Sequence, residues 1–188
     1  MRRGHRKGLA MAVQNNRAFV RSVNISKSKG TRKTPVGDMP VTVKKQWGIA
    51  EDAHAGHWHR QVSFLAEESI ERARDMGLNV KEGDFGENFT IEGVNLLALP
   101  LGTHVKIGND VLVEISQIGK VCHTRCAIYH LAGDCIFPRE GIFAVVLQEG
   151  TVRAGDEFKI VSIGDGTCAY SPDDAIREVE AARLAGTL

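Results

Sequence analysis

Apolar and polar positions along the chain alternate over short runs more often than they recur at helical spacing. Residues 18–25 (AFVRSVNI) alternate and are β-prone, which predicts a first strand. Residues 41–47 and 59–65 predict two more strands, and residues 88–91 a short fourth. Residues 105–107 and 111–116 flank Gly108-Asn109-Asp110, a hairpin signal because such residues tolerate the positive φ of tight turns. Residues 142–148 (IFAVVLQ) are continuously apolar, as a strand buried on both faces would be, and residues 157–163 predict a closing strand. Helical spacing shows in two places. Over residues 66–76, Ile70, Ala73 and Met76 keep one stripe, with Glu67 and Glu68 at the positive end of the dipole and Arg72 and Arg74 at the negative end. Gly77 is placed to stop this helix. A Glu68–Arg72 pair would add only about 0.2–0.5 kcal/mol, so packing must hold it. Ser171-Pro172-Asp173-Asp174 then gives an N-cap, a proline at N1 and first-turn acids ahead of Ile176, Val179 and Ala182.

Short strands at this spacing, with Gly-rich corners, favour a mainly β fold over a doubly wound sheet. The expected form is a small closed or nearly closed β-barrel with a few short helices. Closure would also remove exposed sheet edges. The chain's 188 residues suffice for one well-buried domain. The expected division is a basic, disordered extension over residues 1–17, a barrel over 18–165 and a C-terminal helix packed on it over 166–188. Residues 26–38, full of Lys, Gly and Thr and holding Pro35, predict a flexible loop.

The formal net charge of +1 gives no reason to expect nucleic acid as a partner. Its distribution is uneven, since half of the 24 Lys and Arg residues lie between Met1 and Lys45, with Asp38 the one acid there. Such a segment either lines a cleft that attracts an anion or forms a solvated basic arm. Four unevenly spaced cysteines and a leading apolar run too short for a secretory signal predict a reduced, cytoplasmic setting. No run approaches the roughly 18–20 apolar residues of a membrane span, so no membrane association is expected.

The densest chemistry lies in residues 117–141, QIGKVCHTRCAIYHLAGDCIFPREG. Cys122, Cys126 and Cys135 fall there with His123 and His130, beside Lys120 and Arg125, and a nearby cation favours the reactive thiolate. Cys122, Cys126, Cys135 and His123 would suit a tetrahedral zinc, although the spacing is not that of the common zinc modules. A metal held by fewer thiolates, or one thiolate carrying a persulfide, fits equally. Without a C-x-x-C pair, redox disulfide chemistry is the weaker reading. A second constellation is Asp52-x-His54-x2-His57-x-His59-Arg60, where imidazoles near a carboxylate can bind a metal or shuttle protons. A third is Gly83-Asp84-Phe85-Gly86-Glu87-Asn88, whose glycines allow close ligand approach while Glu87 and Asn88 supply polar groups. Phosphate-loop and serine-hydrolase motifs are absent.

Taken in order, GIAEDAHAGHWHRQVSFL (48–65), GDFGENFTIEGVNLL (83–97), VEISQIGKVCHTRC (113–126) and the closing EGIFAVVLQEGTVRAGDEFKIV resemble a MOSC domain, the module related to the C-terminal part of molybdenum-cofactor sulfurases. The resemblance covers about residues 19–163 and points to the small stand-alone members. It implies a β-barrel and a key cysteine that carries sulfur or binds the molybdenum cofactor (molybdopterin). By the strand-Gln-x4-Cys register that cysteine is Cys122, the preferred assignment; by the Arg-Cys-aliphatic register it is Cys126. Asp52, His54, Arg60, Gln61, Glu87 and Asn88 match family stretches and are the expected cofactor-binding residues, although Glu51 stands where the family commonly has glycine. The implied partners are a cysteine desulfurase and proteins of molybdenum-cofactor biosynthesis or molybdoenzymes. Two alternatives stand beside this reading: a non-catalytic binding module with a structural zinc, and a molybdenum-dependent reductase component.

Overall fold

A computed structural model describes residues 17–121, 129–130, 135–168 and 170. The fold is mainly β with few helices. The first half holds β1 (Phe19–Ile25), β2 (Thr34–Pro35), β3 (Val41–Lys44), β4 (Gly48–Ile49), β5 (Val62–Ala66), helix α1 (Glu67–Asp75) and β6 (Phe89–Glu92). A single 3-10 turn, Leu96–Ala98, leads to β7 (His104–Ile107) and β8 (Val111–Ile118). After them come the one-turn helix α2 (Phe137–Glu140), β9 (Ile142–Gln148), β10 (Gly150–Val152) and β11 (Phe158–Ser162). Eight strands form one sheet in the order β11-β7-β8-β9-β5-β6-β1-β2, and β10-β3-β4 form a small second sheet. β5 and β6 pair in parallel, which two sequential strands can do only through a crossover; α1 begins that connection.

The sheet does not close into a barrel by a continuous ladder. Its pairing ends at β11 on one side, and β1 meets that end through the isolated bridge Phe19–Glu157. Val20 N–H donates to Asp156 O at 2.8 Å, and Phe158 N–H to Ala18 O at 2.9 Å. At the corner before β11, Arg153 N–H donates to the Asp156 side chain and Gly155 N–H to Val20 O, so β1 meets this end through one bridge and a few backbone bonds.

Two apolar clusters share β5 and β9. Val62 and Phe64 of β5, with Ile142, Ala144 and Val146 of β9, enter the main core, while Leu65 and Phe143 point to the opposite face. There they pack with Ile70 and Ala73 of α1, Val80, Phe85, Ile136 and Phe137. Phe64 stacks on Phe89 with ring centroids 5.5 Å apart and meets Phe158 edge-on at 5.7 Å. Each such aromatic pair adds about 0.5–1.5 kcal/mol beyond area burial.

Helix α1 ends as its sequence predicts. Gly77 takes φ of +92°, its N–H bonds Arg74 O, and Leu78 N–H reaches back to Ala73 O, a Schellman arrangement. The side-chain pairing differs from expectation, because longer-range partners are better placed. Arg72 donates to Glu140 of α2 at 2.8 Å, and Glu68 accepts from Gly93 N–H at 3.0 Å.

The expectation of a flexible loop over residues 26–38 does not hold. The segment contains β2, Lys33 N–H donates to Gly83 O at 2.8 Å, and Val36 N–H donates to Val23 O at 2.9 Å. Its polar composition reflects backbone and side-chain partners supplied from elsewhere in the chain. The expected C-terminal helix lies, from residue 171 onward, outside the described residues, as does the expected extension over residues 1–16.

Candidate functional site

The connection from β4 to β5, residues 50–61, is a chain of turns pinned at both ends. Gly48 makes its entry possible: at φ +111° it lies so close to Gln61 O that a Cβ would collide with that carbonyl. Asp52 N–H donates to Ile49 O at 3.1 Å and Ala53 N–H to Ser26 O at 2.8 Å. These bonds carry the Asp52 side chain inward, where Lys33 meets it.

Lys33 Nζ lies 2.6 Å from Asp52 Oδ1, and the two side chains are 1% and 2% exposed. Asp52 also accepts from Ser26 N–H at 2.9 Å and His54 N–H at 3.0 Å. The His54 ring is partly exposed, and its Nδ1 lies 3.4 Å from both Lys33 Nζ and Asp52 Oδ1. Burial by itself would raise the Asp52 carboxyl, but hydrogen bonding to His54, the charge and hydrogen bond of Lys33 and the Ser26 N–H outweigh it. They hold Asp52 well below the usual carboxylate range. Burial lowers the Lys33 ammonium from its ordinary value; the Asp52 charge and hydrogen bond, with the charge of Glu87, offset only part of that. The result is a charged Lys–Asp pair sealed from water, with the partly exposed His54 imidazole beside it, whose Nδ1 accepts from Lys33 or donates to Asp52 according to its tautomer.

Farther along the same connection, the Arg60 guanidinium lies over the Trp58 ring, 4.6 Å from its centroid, and 5.6 Å from that of Phe143. Its Nε is buried without a hydrogen-bond partner, and among the described residues no carboxylate pairs with it. Burial lowers its pKa from the ordinary value. Trp58 is itself fixed by donating Nε1–H to His54 O at 3.1 Å, which ties this cation to the Lys33 group. His59 Nε2 lies 2.8 Å from Gln117 Oε1 at the end of β8, and Ser116 Oγ donates to His59 O. Burial lowers the His59 pKa despite the Gln117 hydrogen bond, and the Arg60 charge acts in the same direction, favouring the neutral imidazole. His57 turns away and packs edge-on against Trp47, with centroids 5.0 Å apart. The histidines of this segment therefore diverge. Among the described residues no group of three His, Cys, Asp or Glu side chains is placed to hold a metal.

The other expected site residues lie deeper. Gln61 is buried, its Oε1 accepting from Val146 N–H at 2.8 Å and its Nε2 donating to Gln46 at 3.3 Å. Asn88 is buried too: Oδ1 accepts from Ser63 N–H and Oγ–H, and Nδ2 donates to Asn24 O, joining β5 to β1. Glu87 is fully buried, accepting from Gly83 N–H at 2.5 Å and Thr90 Oγ–H at 3.1 Å.

Gly119 and Lys120 carry β8 toward the cysteine segment, held by Gly119 N–H to Gly141 O at 2.7 Å and Lys120 N–H to Pro138 O at 3.0 Å. Cys122, His123 and Cys126 lie outside the described residues. Cys135 packs against the second apolar cluster.

Lys33 is the site residue that sequence reasoning missed. A lysine among Gly, Ser and Thr looks like any solvated cation, and the one usable signal was its membership of the basic N-terminal stretch. The outcome for that stretch is mixed: Lys33 enters the interior, while Lys27 pairs with Glu51 at the surface.

An antiparallel-rich sheet with one parallel crossover, capped by a polar turn segment, defines a small mixed-topology β domain. The MOSC domain model matches residues 51–159. That is more than half of the chain, and the chain belongs to the MOSC domain family, which is associated with molybdenum-cofactor sulfurases and binding proteins. Similar solved structures include YiiM from Geobacillus stearothermophilus, at 23% identity and a TM-score of 0.63, covering 87% of this chain and 85% of that one. The YUAD protein from Bacillus subtilis matches at 19% identity and a TM-score of 0.63, covering 76% of this chain and 94% of that one. YiiM from Escherichia coli matches at 17% identity and a TM-score of 0.60, covering 91% and 93%. At these identities the likeness is one of fold. No curated protein matches the sequence. Among the described residues no helix is long and apolar enough to cross a membrane.

Proposed function

We propose that the chain binds the molybdenum cofactor on the face formed by residues 52–60 and the end of β8, and works there through a reactive cysteine as sulfur carrier or cofactor binder. The observation that carries this reading is Arg60: a guanidinium with a buried, unpartnered Nε, held over Trp58 and lacking a carboxylate among the described residues. Such a cation suits a phosphate, whose oxygens accept from the planar N–H groups. The residues present thus fit the anionic end of molybdopterin. Arg60 would hold the phosphate, while His59 and Gln117 would offer neutral hydrogen-bonding groups beside it. When bound, the cofactor supplies a redox-active metal and its sulfur ligands. The chain's own contribution is to place charge: the buried Lys33–Asp52 pair, with the His54 ring beside it, lies next to that face. Gln61, Glu87 and Asn88 act from behind it, by fixing the backbone. Cys122 is the preferred sulfur-bearing residue, with Cys126 the alternative, and a cysteine desulfurase is the matching class of donor.

The test is elemental and pterin analysis of protein purified anaerobically under reducing conditions, with Arg60→Ala, Cys122→Ala and Cys126→Ala alongside. Losing a charge-assisted contact worth about 1.5–3 kcal/mol would weaken pterin binding by roughly 10- to 100-fold in Arg60→Ala. One cysteine variant should lose the metal or the persulfide mass shift. Stoichiometric zinc with no pterin, and chelation that unfolds the protein, would replace this reading with the structural-zinc module.

A further inference from the structure

Given Arg60 as the cation that holds a phosphate on this face, as read above, we propose that His59 makes the site select an oxyanion that still carries a hydroxyl. Its Nδ1 is a fixed hydrogen-bond acceptor for the P–OH of a phosphate group and disfavours fully ionised oxyanions such as sulfate.

The orientation of the ring follows from the partners of Gln117. Gly119 O can only accept, so the Gln117 atom 2.6 Å from it is the amide nitrogen. The amide oxygen is then the atom that faces His59, 2.8 Å from Nε2. A carbonyl oxygen can only accept, so Nε2 carries the hydrogen, and in the neutral imidazole the lone pair falls to Nδ1. Both ends of this chain of bonds are anchored. Gly119 sits at φ +66°, where a Cβ would collide with Pro138 O, and its N–H donates to Gly141 O at 2.7 Å. At the other end Ser116 Oγ–H donates to His59 O, which ties the His59 backbone to β8. Among the described residues Nδ1 has no partner of its own.

The imidazole also stays neutral. Burial and the Arg60 charge lower its pKa from the ordinary value and outweigh the Gln117 bond, so Nδ1 keeps its lone pair at pH 7. The ring meets Trp58 edge-on, with centroids 6.1 Å apart, and the Arg60 guanidinium lies 4.6 Å from the centroid of that same indole. A group that only donates and a nitrogen that only accepts are thus gathered at one aromatic side chain. A phosphate satisfies both, with its charged oxygens on Arg60 and a P–OH on Nδ1. Sulfate at pH 7 has no hydrogen to give and would set a lone pair against Nδ1. Attraction to Arg60 alone gives the opposite preference, since sulfate carries its full double charge at that pH and inorganic phosphate only in part.

The experiment uses folded, full-length, cofactor-free protein. Imidazole 15N NMR should show His59 protonated at Nε2 and bare at Nδ1; the reverse tautomer, or a mixture of the two, would overturn the proposal. NMR titrations with inorganic phosphate and with sulfate, at pH 7 and matched ionic strength, should give phosphate the tighter binding by about tenfold or more, the effect of one hydrogen bond to a charged group. His59→Phe removes the acceptor and Gln117→Met the amide that orients it, so each should bring the two affinities together, whereas Arg60→Ala should weaken both anions. Equal affinities in wild type, tighter sulfate, no binding of either anion, a preference that survives in Gln117→Met, or binding untouched by Arg60→Ala would each count against the proposal decisively. Should His59→Phe fail to fold, Gln117→Met and the wild-type tautomer decide. No readout involves pterin. Phosphate selectivity in a protein that carries no molybdopterin would keep this proposal and remove the functional reading, and pterin bound beside the reverse tautomer would do the opposite.

Discussion

Replacing Asp52 by asparagine keeps the side chain's shape and removes its charge, leaving the Lys33 ammonium 2.6 Å from a neutral group with both side chains nearly sealed from water. Removing one member of a buried ion pair costs about 3–5 kcal/mol, because the other charge is left uncompensated. Lys33 has an escape, since it can release its proton. At pH 7 that route limits the loss to about 4.6 kcal/mol, the distance from an ordinary lysine pKa of about 10.4 at about 1.36 kcal/mol per unit. The expected destabilisation is therefore about 3–4.5 kcal/mol, a large share of the 5–15 kcal/mol typical of a domain. At roughly 2–4 °C per kcal/mol for a chain of this size, the melting temperature should fall by roughly 10 °C. Urea unfolding at pH 7 of wild type, Asp52→Asn, Lys33→Met and the double variant would measure this, with a coupling of about 2–3 kcal/mol between the sites. The sign with pH is also determined. The folded-state Asp52 carboxyl lies below its unfolded value of 3.8, so the pair's contribution is present above that value and is lost as pH falls through the folded pKa. The gap between wild type and Asp52→Asn should therefore narrow in acid. A loss under about 1 kcal/mol at pH 7, or a gap that widens on acidification, would show that the pair does not hold the loop in the way derived from its burial.

Glu87 acts in the opposite sense. Its folded-state pKa of about 7 lies above the unfolded 4.5, so its contribution to stability is complete below pH 4.5 and is lost as pH rises through 7. That amounts to about 3 kcal/mol, and urea midpoints of Glu87→Gln should lack this decline. Cys168, pushed up to about 12 by burial and hydrogen bonding to Glu114, should resist alkylation in native protein. Its thiolate fraction at pH 8 is about 10⁻⁴, against roughly a quarter for an ordinary thiol, so peptide mass spectrometry should find it modified over a thousand times more slowly than in urea. Gly48→Ala should destabilise by about 1–3 kcal/mol in thermal or urea unfolding, since its positive φ and the Gln61 carbonyl leave no room for a Cβ.

Patterns that repeat over a few residues are legible in the amino-acid sequence alone. The alternation in β1, the continuous apolar run of β9, the Gly108-Asn109-Asp110 hairpin and the Gly77 stop of α1 all appear where the spacing predicts them. Each is set by local geometry, the period of 2 for strands, about 3.6 for helices and positive φ at glycine. The family is legible as well, because its ordered motifs lie within single segments such as residues 48–65 and 83–97. Asp52, His54 and Arg60 emerge as candidates since carboxylate, imidazole and guanidinium crowded into one turn segment are conspicuous in any fold.

Tertiary structure decided the rest. Lys33 lies 19 residues from Asp52, and only the convergence of the loop after β1 with the connection after β4 turns a surface-type lysine into a buried partner. The same fold buries Glu87 completely, with its carboxylate accepting from Gly83 N–H and Thr90 Oγ–H, which its segment alone did not reveal. How far the sheet closes was settled likewise at one corner, where β1 meets the turn before β11 through a single bridge and a few backbone bonds. Composition and periodicity determine which stretches extend, turn or coil, because those preferences act between near neighbours. Which charge meets which, and which is shielded from water, depends on contacts between distant segments, and no local pattern encodes them.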